Sequence, residues 1–102
     1  MNWNKPEIVR LVRALLVLKN PSEGRRFLRD LMTEGEIEEF AKRFRAAEML
    51  AVGEPYSRIE ETTGLSSTTV ARVSKWLKGR QGGYRAVINR LHGRSIPIAR
   101  GG

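Results

Sequence analysis

The sequence predicts an all-α fold of six helices, and three observations carry that prediction. Apolar residues recur at helical spacing in successive stretches. Asn, Thr, Ser and Pro stand where those stretches begin, and Gly53 and Gly64 stand where two of them end. Residues 55–78, PYSRIEETTGLSSTTVARVSKWLK, divide into two short helices about a glycine.

The rest of the chain is organised around that divided stretch. Ile59 is the apolar anchor of its first helix, which runs into Thr62-Thr63 and stops at Gly64. A glycine suits a helix end held at positive φ, where a Cβ is penalised. Leu65 follows as a buried plug, and Ser66 or Ser67 is placed to cap the second helix, Ser67 to Lys78. Val70, Val73 and Leu77 share one side of that helix. Thr68, Ala71, Arg72 and Lys75 share the other, and none of them is a carboxylate. This is the pattern of a helix-turn-helix, whose second helix enters the major groove of DNA. Glu60 departs from it, standing where many such motifs keep a small residue. The plain alternative is a helical hairpin whose polar side is only solvated.

Charge decides between them. All 11 acidic residues lie at or before Glu61, together with most of the 19 Lys and Arg. From Thr62 onward the cations are Arg72, Lys75, Lys78, Arg80, Arg85, Arg90, Arg94 and Arg100, with no carboxylate. The net charge of +8 therefore sits on the half that begins at the turn. Lys and Arg on a row of phosphates release condensed counterions, which drives sequence-independent affinity.

The chain has 102 residues and no cysteine, enough for one modest core and nothing for disulfides or thiolate metal sites. No apolar run reaches membrane-spanning length. The opening MNWNKPE lacks the order of a signal peptide, so a cytoplasmic, bacterial protein with no membrane partner is expected. One domain over residues 1–92 and a disordered basic tail over 93–102 are expected. No cofactor and no metal are implied.

In chain order, a first helix opens near Pro6 and carries Ile8, Val9, Leu11, Val12, Leu15, Leu16, Val17 and Leu18, interrupted in charge by Arg10 and Arg13. It is apolar nearly all round, more than one thin chain can cover, and it predicts an intimate dimer; the plain alternative is the central helix of a monomeric bundle. Asn20-Pro21-Ser22-Glu23 starts a second helix with Phe27, Leu28 and Leu31 on one side. Thr33-Glu34-Gly35-Glu36 is a capping box that opens the longest helix, Glu34 to about Val52. Its glutamates Glu34, Glu36, Glu38 and Glu39 complement the helix dipole and form a solvated face, not an acid/base or metal site. Ile37, Phe40, Ala41, Phe44, Ala47 and Leu50 are its core stripe. After the break Gly79-Arg80-Gln81-Gly82-Gly83, Tyr84, Val87, Ile88 and Leu91 define a sixth helix.

The pieces ALLVLKNPSEGRRFLRDLMTEGEIEEFAKRF and YSRIEETTGLSSTTVARV, followed by GGYRAV, resemble the Trp repressor superfamily over roughly Val9 to Leu91. The resemblance implies an intertwined homodimer with two projecting helix-turn-helix heads. It carries a ligand-site threonine onto Thr33 and two ligand-site arginines onto Arg43 and Arg72. A glycine that leaves room for an indole falls on Val73, so a small-molecule effector, if there is one, is not expected to be tryptophan.

Two functions follow from different classes. The first is a dimeric, sequence-specific regulator of transcription, a repressor, acting on double-stranded DNA. Thr68, Ala71, Arg72 and Lys75 would face the groove with Ser66, Ser67 and Thr69 at its edge. Arg58, Lys78 and Arg80 would hold phosphates, which position without specifying sequence. The second is a non-specific RNA-binding or nucleoid-type protein. Stacking aromatics would favour it, yet the basic half offers only Trp76 and Tyr84, both at spacings that suit packing. Enzyme function is not expected, because the single histidine, His92, has no acidic residue after Glu61 to orient it.

Overall fold

The computed structural model describes residues 1–93, and the basic tail expected beyond Gly93 lies outside the described residues. Six helices follow one another: α1 Pro6–Leu16, α2 Pro21–Leu31, α3 Glu34–Ala51, α4 Tyr56–Thr63, α5 Ser67–Lys78 and α6 Gly83–Leu91. There is no strand among the described residues. The chain divides into two compact units, residues 1–37 and the part from Glu38 on.

In the first unit, local chemistry sets the helix boundaries. Pro6 opens α1 and Leu16 ends it, so Val17 caps it and Leu18 stands beyond, two residues earlier than the apolar run implied. No residue of α1 or α2 is buried. Leu11, Val12 and Leu15 are all exposed, and Leu16 is 79% exposed. The Asn20 side chain accepts from the Glu23 amide at 2.9 Å, and the Glu23 carboxylate accepts from the Lys19 amide at 3.0 Å. At the start of α3 the box closes both ways. The Glu36 amide donates to Thr33 Oγ1 at 3.1 Å, and the Thr33 amide donates to Glu36 Oε1 at 2.9 Å. Hydrogen bonding with Thr33, through its amide first and its side chain second, holds the Glu36 carboxyl below its ordinary range. Its contribution to stability is present above the ordinary carboxylate pKa and is lost as pH falls through the lowered one.

In the second unit the core gathers Ala46, Ala47, Met49, Leu50 and Ala51 of α3 with Ile59 and Leu65. Val70, Val73 and Leu77 of α5 and Ile88 of α6 complete it. Phe44, Tyr56 and Tyr84 pack against its edge. The expected core stripe of α3 is thus buried only in its C-terminal half. Phe40 is 46% exposed, Ala41 is exposed and Ile37 is half-buried. Periodicity marks a side of a helix; it does not say how far another element covers that side. The end of α3 is a Schellman turn, with the Glu54 amide on Met49 O and the Gly53 amide on Leu50 O, both at 3.0 Å. Val52 lies outside the helix, one residue short of the expected boundary.

Helices α4 and α5 meet through a three-residue connection. Gly64 has φ 74°, and its amide bonds Glu60 O at 2.8 Å. Buried Thr63 ties the two sides of the turn together. Its hydroxyl donates to Ile59 O at 2.7 Å and accepts from the Leu65 amide at 3.2 Å. Leu65 is buried as a plug. Of the two candidate caps the structure uses Ser66, whose Oγ accepts from the Thr69 amide at 3.2 Å. Helix α5 then packs against both α4 and α6. Gly83 is the first residue of α6 instead of the last of the expected break.

A Cβ on Gly64 would meet nothing within 4 Å, so its requirement for glycine is conformational and not steric. Gly64→Ala should therefore lower stability by about 1–2 kcal/mol in a urea melt, the usual left-handed penalty. Gly64→Asn should recover part of that loss, because Asn tolerates the conformation. An alanine variant as stable as wild type would refute this account of the turn.

Candidate nucleic-acid interface

Helix α5 has an inner and an outer side that share no residue. Val70, Val73, Ser74 and Leu77 are buried. Thr68, Ala71, Arg72 and Lys75 are exposed, as are Ser67 and Lys78 at the two ends of the helix. The structure therefore brings all four expected groove-facing residues onto one solvent face. Ser66 is exposed but engaged as the cap, and its hydroxyl also donates to Thr69 Oγ1 at 3.1 Å. Thr69 is half-buried beside it. Arg58 is exposed on α4, and Arg80 is exposed in the loop after α5. With Lys75 and Lys78 in its last turn and no acid anywhere along it, α5 presents positive charge at the end where its dipole is negative.

Of the residues carried over as an effector site, Val73 is completely buried in the core. Arg72 is exposed on α5. Arg43 lies with its guanidinium carbon 5.3 Å from the centroid of the Phe40 ring and its Nε 3.7 Å from Glu39 Oε1. That Nε is buried and has no hydrogen-bond partner among the described residues. At 3.7 Å the pair is an electrostatic contact with weak geometry, of the partly exposed kind that contributes about 0–1 kcal/mol. Thr33 is the cap of α3.

A feature that sequence reasoning missed lies beside α5. Trp76 was expected to pack; it is 48% exposed. With Phe44, Tyr84 and Val87 it lines an open apolar groove of about 690 Å³, rimmed by Lys75 and Arg80. Phe44 and Tyr84 meet with ring centroids 6.3 Å apart, tilted by 39°. Burial pushes the Tyr84 hydroxyl above its ordinary pKa, against the opposing charge of Arg43. The signal was present in the spacing: Trp76 lies four residues after Arg72, on the flank of the outer face and not the inner one.

His92 also differs from expectation. Its Nε2 is 3.7 Å from Glu48 Oε2, so an acidic residue from α3 does face it, although none follows Glu61 in the chain. Glu48 is also 3.9 Å from Arg45 Nη1. Among the described residues no group of three or more His, Cys, Asp or Glu is arranged to hold a metal ion. No helix there is long and apolar enough to cross a membrane.

Residues 7–92 match the family model described as Trp repressor protein. The uncharacterized protein YerC of Bacillus subtilis strain 168 is 36% identical over 85 residues, covering 83% of this chain and 82% of YerC. Among solved structures, a TrpR-like protein from Eubacterium eligens ATCC 27750 superposes with a TM-score of 0.84 at 34% identity, over 90% of this chain and 95% of that one. A Staphylococcus aureus protein provisionally assigned as a Trp repressor gives a TM-score of 0.83 at 28% identity, over 93% and 98%.

Proposed function

We propose that this chain, which belongs to the Trp repressor protein family of DNA-binding regulators, is a dimeric, sequence-specific transcriptional repressor of the bacterial cytoplasm. In this reading α4 and α5 form a helix-turn-helix and α5 is the helix that enters the major groove. The observation that carries it is the outer side of α5, where exposed Thr68, Ala71, Arg72 and Lys75 stand on a helix whose inner side is fully buried. Such a helix is held firmly by its back and is free at its front. Arg72 and Lys75 are suited to base acceptors, and Thr68 and Ala71 to close approach and to a thymine methyl. Arg58, Lys78 and Arg80 flank that face as phosphate contacts.

The dimer is supported by α1, whose Leu11, Val12, Leu15 and Leu16 are all exposed in the single chain. A two-fold protein presents two such helices about 34 Å apart, one turn of the duplex. Selection of bound fragments from random duplexes should therefore yield an inverted repeat, protected over both halves in a footprint. One observation favours the non-specific alternative: Trp76 is exposed beside Lys75 and Arg80, where a base could stack on it. Selection without a consensus, with tighter binding to single strands, would establish that reading instead.

Arg72→Ala and Lys78→Ala should differ in kind. Loss of a base-reading Arg72 should cost on the order of 1–3 kcal/mol and relax preference at one position. Loss of a phosphate-bound Lys78 should weaken all duplexes alike and make the salt slope shallower by about one unit. Equal, sequence-blind losses would put the reading face elsewhere.

Free tryptophan should not be the effector. Val73 is fully buried and β-branched, so on a helix it is stiff at χ1 and cannot swing aside. Forcing a ring against it costs about 1–3 kcal/mol, one to two orders of magnitude of affinity. A ligand at a hundred times its Kd adds about 2.7 kcal/mol of stability. Millimolar L-tryptophan should give no thermal shift and no change in operator affinity; a shift in either means Val73 is not the block.

A further inference from the structure

We infer that Arg85 is the positioning residue of the reading helix, although it belongs to the same basic half as the phosphate-contacting cations; this rests on the proposed role of α5. The last carbonyls of any helix lack partners within it. At the end of α5 the usual glycine closure is missing, because Gly79 is extended, with φ −77° and ψ 179°, and its amide reaches only Trp76 O. The next carbonyl, that of Leu77, accepts instead from Arg85 Nη1, reaching back from the third residue of α6. A guanidinium there satisfies the carbonyl and complements the negative end of the helix dipole.

The surrounding chain is shaped to admit it. Gly82 turns into α6 at φ 70°, and a Cβ there would lie 3.1 Å from Arg85 Nη2. Arg85 is half-buried, whereas Arg72, Lys75, Lys78 and Arg80 are exposed. Leu77 itself is fully buried in the core with Ile88 of α6. Arg85 therefore ties the C-terminal turn of α5 to α6 through its main chain, while Leu77 and Ile88 hold the same two helices through their side chains. A reading helix held at both faces of its last turn is preorganised for the groove. Slack there would have to be removed on binding, at a cost in affinity.

The test compares Arg85→Met and Arg85→Lys in the full-length protein, using the duplex that wild type selects over a range of salt. Arg85→Met should lose roughly tenfold in affinity, about the worth of one hydrogen bond to a charged group, with its salt slope unchanged. Arg85→Lys keeps one donor and the charge, and should recover most of that loss. Amide exchange over Trp76–Gly79 should quicken in Arg85→Met while the amides of α3 stay as protected as in wild type. A slope shallower by about one unit would make Arg85 a phosphate ligand and overturn the assignment. Unchanged affinity, or failure of lysine to restore any of it, would overturn it too. Should wild type select no duplex, the repressor reading fails by itself, and unaltered exchange over Trp76–Gly79 in Arg85→Met would then overturn the clamp.

Discussion

Val70, Val73 and Leu77 must all be covered at once, and the part of the chain from Glu38 on is arranged to do so. They are fully buried, in a cluster with Ile59 of α4, the last turns of α3 and Ile88 of α6. Burying side chains of this size contributes about 1.5–3 kcal/mol each, so a few of them rival the 5–15 kcal/mol net stability of an ordinary domain. The partly exposed ion pairs of α3, Arg43 with Glu39 and Arg45 with Glu48, belong to a class contributing about 0–1 kcal/mol. Apolar burial therefore governs this unit. The turn serves it: Gly64 ends α4 in the left-handed region, Thr63 bonds across the turn, and Leu65 is buried in the same cluster.

What was legible in the sequence was mostly local. Asn20, Thr33 and Gly53 could be read as helix ends because a cap needs only the residues within a turn of it. Gly64 and Leu65 could be read for the same reason. Ser66 and Ser67 could not be told apart, since either hydroxyl reaches a free amide and only the path of the backbone decides. The inner side of α5 was legible because period and burial agree there. On α3 they part company after the fact: the apolar period runs through Phe40, but the covering elements do not.

Apart from Trp76, whose place on the flank of the outer face its spacing marks, the remaining misses are tertiary. Trp76 and Tyr84 are both aromatic and both in the basic half, yet the half-buried ring of Tyr84 packs on Phe44 while Trp76 is 48% exposed. His92 meets Glu48 because α6 ends beside α3, a proximity with no trace in residue spacing. Arg85 is one more positive charge in the composition, yet its half-buried guanidinium bonds the Leu77 carbonyl. Composition locates charge on a segment, and only packing separates the charges that face outward from those that hold the segment together.

The separation of α5 into two sides bears on how such a protein can diverge. Thr68, Ala71, Arg72 and Lys75 contribute nothing to the buried cluster, and exposed substitutions ordinarily shift stability within about 0.5 kcal/mol. In the proposed reading these are the residues that meet the bases. A duplicated copy of this chain could therefore acquire a different target by exchanging outward residues alone, keeping its turn, its core and its clamp. Recognition is in that sense a replaceable surface laid over a fixed frame, and a lineage of such regulators can drift apart in what they bind long before they differ in how they fold.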